Sequence, residues 1–437
     1  MKKFILLSSS AIMALGMISQ ISRAQSNYTV HEWGTFTDVQ GGDGELLSWR
    51  PLETSELPGF VRDWKNPGMN RRFAGFFIGN EPTIVTGVKQ VMITLQRLET
   101  PVMYFYSDAD MSVDMDVRFP KGLITEWYPQ ATQIGPSLPL DTNASAAATL
   151  SASRAVWKNL QLLSKSKRNG DLQSRLPQDQ SGNHYFAARE TAADTVRTEL
   201  ADETNGTSNF EKFIFYRGAG SFKTPLRVSV NSRNEVVLEN TGNQPLSHLF
   251  LLGIKNGGGA FEEIESLQPG ESKTLPAIEN TTSEAHHFRS LAGGQVELGT
   301  AMRAALEDAG LFNDEAAAMV NTWKDSWFAE DGVRVLYLLP RAWTDETLPL
   351  TLNPKPEKIV RVMVGRAEVI MPETARNLAM ALAKAEAGNN DARQKAVAEL
   401  KDLGRFAGPA LQLADRGKDS PDVTFDFQLL SAAGPGK

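Results

Sequence analysis

The chain predicts a mainly β fold, built of antiparallel sandwich domains and passing into an α/β and then a helical portion towards the C-terminus. Three observations predict it. Met111–Phe119 (MSVDMDVRF) alternates strictly, with Val113, Met115, Val117 and Phe119 on one face and Ser112, Asp114, Asp116 and Arg118 on the other. That period of two is the signature of a half-buried antiparallel strand. Runs rich in β-branched and aromatic residues recur before residue 128 and again between 211 and 278. After residue 295 the apolar period lengthens to that of amphipathic helices, interrupted by two apolar strands, Val333–Pro340 and Lys358–Ile370.

Taken in order, residues 1–24 read as a signal peptide: Lys2 and Lys3, an apolar stretch to Ile21, then Ser22-Arg23-Ala24 as a cleavage site. Cleavage would leave 413 of the 437 residues. A chain of that length buries enough surface to fold without disulfides, in keeping with its having no cysteine. Residues 25–129 form a β-rich domain, with strands at Val30–Val39, Lys89–Leu98, Pro101–Ser107 and Met111–Phe119. Residues 130–210, rich in Ser, Ala, Asn, Gln, Asp and Thr, read as a polar insertion with short helices. Residues 211–280 return to strand character, with turns at Asn240-Thr241-Gly242 and Leu267–Ser272. This stretch resembles the immunoglobulin-like sandwich modules of exported bacterial proteins, which implies a sandwich and no activity. Residues 281–372 form an α/β segment, with helices at Glu297–Ala309 and from Asn313 to Ala329. Residues 373–437 form a helical cap, in which AVAELKDLGRFAGPAL resembles a HEAT-type repeat.

The formal charge is −7, moving to about −10 once Lys2, Lys3 and Arg23 are lost. That balance argues against nucleic acid and anionic membrane surfaces as partners. Beyond the leader, no stretch approaches the roughly 20 apolar residues of a membrane span.

Candidate chemistry is sparse. His31 and Glu32 are adjacent in VHEWGTFT. On a strand they point to opposite faces and cannot share a metal or a proton, so His31 alone, beside Trp33, is the candidate. His286-His287 is a candidate metal pair, with His31, His184 or a carboxylate needed to complete a divalent-metal site. Asp108, Asp110, Asp114 and Asp116 could open a calcium loop, but Val113 and Phe119 stand where an EF-hand needs glycine and glutamate. Tyr216-Arg217 closes the strand FIFYRG, and Arg341 follows VRVLYLLP; an arginine at a strand end can clamp an anionic group. Trp33, Trp49, Trp64 and Trp127 are candidates for a sugar-stacking platform, whereas Trp323 and Trp327 read as a buried helix face. No nucleophile elbow, phosphate loop, dinucleotide fingerprint or H-E-x-x-H is present.

The segments VHEWGTFT, FIFYRG, VRVLYLLPR and RVMVGRAEV together resemble an uncharacterised family of exported proteins from environmental Gram-negative bacteria. The resemblance implies export to the periplasm or beyond and a shared architecture; it transfers no catalytic residue. Two functions are therefore expected. One is a binding or scaffolding protein for glycans or other envelope components. The other is a secreted hydrolase, with or without a divalent metal, using His31 and/or His286/His287 with carboxylates.

Overall fold

The computed structural model describes residues 27–52, 57–63, 94–136, 153–165, 172–199, 208–276, 286–288, 291–416 and 423–433. The leader expected at residues 1–24, and Trp64, lie outside them. In chain order the strands are β1 (Tyr28–Gly41), β2 (Arg62–Asp63), β3 (Gln96–Ser107), β4 (Met111–Arg118), β5 (Gly122–Tyr128), β6 (Gln133–Gly135), β7 (Arg154–Leu163), β8 (Thr195–Thr198), β9 (Asn209–Glu211), β10 (Ile214–Gly220), β11 (Leu226–Val230), β12 (Val236–Asn240), β13 (Leu246–Lys255), β14 (Gly258–Leu267), β15 (Ser272–Leu275), β16 (His286–Phe288), β17 (Gly332–Leu339), β18 (Leu350–Asn353) and β19 (Lys358–Ile370). The helices are α1 (Leu291–Asp308), α2 (Asn313–Phe328), α3 (Arg341–Thr347), α4 (Pro372–Glu386), α5 (Asn390–Leu403), α6 (Ala407–Ala414) and α7 (Val423–Ala433).

The fold is mainly β with a helical C-terminal part. Its centre is a ten-stranded sheet in the order β16-β14-β13-β17-β19-β1-β3-β10-β5-β2. β1 pairs antiparallel with β3 but parallel with β19, so the N-terminal strand is sealed between two strands that follow it. One face of this sheet packs against a three-stranded sheet (β11-β12-β15) and a six-stranded one containing β4 and β7. The opposite face is covered at one end by α1 and α2, and at the other by the C-terminal helices. A strand covered on both faces has no solvated side, which is why β1 is buried along almost its whole length.

The alternation of Met111–Phe119 is realised: Val113, Met115, Val117 and Phe119 are all buried. Within residues 211–280 the strands divide between two sheets. β11, β12 and β15 form the small sheet, while β13 and β14 extend into the central sheet through β17. The polar stretch 130–210 lies only partly within the described residues. Among its described residues, Arg154–Leu163 is a strand, joined by β6, β8 and β9, and 3₁₀ turns lie at Gln173–Arg175 and His184–Arg189. Asn159, at φ +53°, breaks its alternation, and the register with β4 shifts opposite it.

β10 carries FIFYRG into the centre of the sheet, where its register against β5 shifts between Arg217 and Gly218. A Cβ on Gly218 would lie 2.1 Å from the Leu123 carbonyl oxygen. The glycine therefore permits the close strand approach that re-aims Arg217. Gly218→Ala is expected to destabilise the protein by about 1–3 kcal/mol through overpacking, read as a lower urea midpoint with an unchanged slope.

Candidate functional site

Alternation along β1 separates His31 and Glu32 as expected, and each is tied to residues far away in sequence. His31 faces the helices. Its Nδ1 lies 2.7 Å from Oε2 of Glu315, in the first turn of α2. Glu315 also accepts the Tyr106 hydroxyl proton at 2.6 Å and the Phe312 backbone N–H at 2.8 Å. The Phe312 ring sits 4.4 Å from the imidazole. Burial, and then the charge of Glu315, raise the Tyr106 phenol well above its ordinary range, so it remains a neutral donor. His31 Nε2 is buried with no hydrogen-bond partner.

Glu32 faces the other way and accepts from Arg361 Nε and from the Tyr216 hydroxyl. Arg361 continues to Asp345 at 2.8 Å. Glu32 and Tyr216, separate in the sequence, are thus brought together in a buried network. Arg341 is exposed and meets the outer end of the same network at Asp345; it bonds Asp345 and the Ile359 carbonyl, both at 2.8 Å, and fastens α3 to β19.

Other expectations are corrected. Trp33, Trp49 and Trp127 are 0%, 2% and 1% exposed, so none presents a face to a sugar. Trp49 instead packs in the C-terminal core, with the Arg405 guanidinium 5.9 Å from its ring. His286 and His287 lie on edge strand β16, paired with Phe261 and Ala260. Five strand spacings separate β16 from β1, a backbone distance on the order of 20 Å. His31 and the His286-His287 pair therefore do not converge on one metal. Among the described residues, no group of three or more His, Asp or Glu is placed to hold a metal ion. Three of the four aspartates between 108 and 116, which lack the EF-hand pattern, make local bonds: Asp114 takes Lys158 at 2.8 Å and the Asn159 N–H at 2.9 Å, Asp116 takes Arg154 at 2.5 Å, and Asp110 takes the Ser164 N–H at 2.9 Å.

Arg217 belongs to a feature that sequence reasoning missed, a belt of buried charge across the helix-covered face of the central sheet. Arg334 and Arg366 bond Glu368 at 3.0 and 2.8 Å, and Arg366 reaches Glu330 at 2.6 Å. Arg405 bonds Glu99 at 3.1 Å, and Arg217 bonds Glu126 at 2.9 Å. Burial alone would raise the Glu99 and Glu330 carboxyls. The charges of Arg97, Arg405 and Arg366 around Glu99, and of Arg366, Arg405 and Arg334 around Glu330, outweigh it and hold both at about 2.

Beside Tyr106, at the end of β1 and β3, a cleft of about 380 Å³ opens to solvent. Its wall includes Thr29, Tyr106, Asp108, Lys165, Asp194 and Glu357. Asp194 fixes that wall, accepting the Ser107 N–H and hydroxyl at 2.7 Å and the Lys165 N–H at 2.9 Å. Its residues come from segments distant in sequence, and no local motif marks them. The nearest sequence signal was the F-N-D-E run at Phe312–Glu315, which has the glutamate spacing of a capping box.

No protein-family model matches this chain, and no curated protein matches it. Among solved structures it is similar to the Fcho1 mu homology domain of Danio rerio with bound Eps15 peptide, at 9% identity and a TM-score of 0.28, covering 79% of this chain and 97% of that one. It is also similar to the yeast delta-COP-I mu-homology domain, at 7% identity and a TM-score of 0.26, covering 79% and 98%. Scores this low carry no argument about fold or ligand.

Because the folded carboxyls of Glu99 and Glu330 lie below their unfolded value of 4.5, their contribution is present above that pH and is lost as pH falls towards 2. Glu99→Gln is expected to cost about 3–5 kcal/mol at neutral pH by leaving buried arginine uncompensated. That cost shrinks as pH falls from 4.5 towards 2. Urea unfolding at a series of pH values checks this; a cost that does not change with pH contradicts the assignment.

Proposed function

We propose that this is an exported binding or scaffolding protein whose ligand is a glycan or another hydroxyl-rich envelope component, held in the cleft beside Tyr106. The observation that carries the reading is the polar character of that cleft. Carboxylates from Asp108, Asp194 and Glu357 are the acceptors that sugar hydroxyls require, Lys165 supplies a donor, and Tyr106 supplies a ring. Tyr106 is held in place through Glu315. Its volume lies within the range of small-ligand sites. The acidic balance of the chain suits a neutral or hydroxylated ligand better than a polyanion.

A hydrolase remains the second reading, favoured by one observation. Tyr106 borders the cleft and also bonds the carboxylate that orients His31, whose second ring nitrogen is unpartnered. Substrate turnover that survives His31→Gln would remove that reading.

Calorimetric titration of peptidoglycan fragments and soluble envelope polysaccharides tests the first. Binding by the native chain is expected to weaken about tenfold or more, roughly 1.4 kcal/mol, in an Asp108→Ala/Glu357→Ala variant of unchanged melting temperature. If no fraction binds the native chain, the proposal fails. Export has its own check: N-terminal sequencing of protein recovered from the periplasm should begin at Gln25, and an intact Met1 there would contradict leader cleavage.

A further inference from the structure

The charged belt holds more hydrogen-bond donors than its carboxylates satisfy, and the surplus gathers where β1, β3 and β10 meet. Thr35 and Thr37 on β1 stand directly opposite Glu99 and Arg97 on β3, so these four side chains share one face. Arg97 is buried, yet its Nε has no hydrogen-bond partner. The carboxylate oxygen nearest to it, Glu99 Oε1, is 3.8 Å away and is already engaged by Arg405 at 3.1 Å. The Thr35 hydroxyl is buried without a partner. Nε of Arg217 is in the same condition, while its Nη2 is held by Glu126. The Thr37 hydroxyl sits beside Glu99 without a well-formed hydrogen bond.

A buried donor left without an acceptor costs on the order of 1–3 kcal/mol, so several at one place are unusual. Their chemistry is one-sided. Guanidinium groups can only donate, and hydroxyls can rotate to do so. Burial, aided by repulsion from Arg217 and Arg405, outweighs the charge of Glu99 and pushes Arg97 down to about 9; burial lowers Arg217 to about 10. An oxygen-rich anion seated among them would satisfy the donors and relieve that repulsion. Glu330, with its side chain 33% exposed, marks the solvent side of the belt.

We propose that Arg97, Arg217 and Thr35 form a binding site for a small oxyanion, the carboxylate or phosphate group of a low-molecular-weight ligand. The site is separate from the cleft beside Tyr106: Thr29, in that cleft, and Thr37 are about 25 Å apart along β1 by strand rise. It therefore stands or falls independently of the glycan reading.

Thermal unfolding of the full chain in inorganic phosphate, and separately in acetate, tests it against sodium chloride at matched ionic strength. Binding to the folded state alone raises the melting temperature progressively with anion concentration. At least one of the two anions is expected to do so. The Thr35→Val variant, which replaces an unpaired hydroxyl by a methyl of similar shape, should fold normally and bind that anion about tenfold more weakly. Arg97→Met should lose the response altogether. A response to phosphate but not acetate assigns a tetrahedral anion, and the reverse assigns a planar carboxylate. No stabilisation beyond the chloride control overturns the proposal, as does an equal response in Thr35→Val and the native chain.

Discussion

The rest of the structure depends on one constraint, which is that the central sheet is covered on both faces and yet carries charge across its middle. Arg334, Arg366, Glu368, Arg97, Glu99, Arg217 and Glu126 leave the sheet on the side where helices pack, and all are buried. Removing such groups from water costs several kcal/mol each unless a partner of opposite sign is within reach. The partners come from two separate places. Glu330 and Ser326 come from the end of α2 and just beyond it, and Arg405 from the turn between α5 and α6. The apolar cores on either side of the belt are tolerant of small shifts in packing, because hydrophobic contact has no direction. The belt is not. The C-terminal helices can dock only where Arg405 meets Glu99 and lies against Phe406 and Trp49.

The same constraint explains why some of the sequence was legible and some was not. Residues 111–119 were readable because β4 has one buried and one solvated face, so its alternation is clean. β1 has no such contrast, but once Val30–Val39 is taken as a strand the separation of His31 from Glu32 follows directly. The placement of its tryptophan does not follow. An exposed platform assumes a solvated face, and β1 has none. Trp127 on β5 is buried likewise, and Trp49 is taken up by the C-terminal helices. Arg154–Leu163 gives no clean signal in the sequence because a single positive-φ asparagine, Asn159, interrupts the period that identifies a strand.

The site residues were least legible, and the reason is distance along the chain. His31 and Glu315 are 284 positions apart, and Glu32 and Arg361 are 329 apart. Each member alone is an ordinary residue in an ordinary element: Glu315 stands in the first turn of a helix and Arg361 near the start of a strand. Their roles arise only when β19 is laid parallel to β1, a pairing that spans nearly the whole described chain.

That long-range pairing also bears on how a ligand would be received. β1 and β3 run from the cleft beside Tyr106 to the unsatisfied donors around Arg97, and both strands are fixed on each side by neighbours in the sheet. Tyr106 cannot turn away from the cleft without breaking its bond to Glu315, which would also free His31 and the first turn of α2. Arg97 cannot move far without exposing Glu99 to unbalanced charge beside Arg405. Both places are therefore organised before any ligand arrives, so less of the interaction energy is lost to ordering side chains. A cleft whose wall is already fixed can select by the geometry of its acceptors.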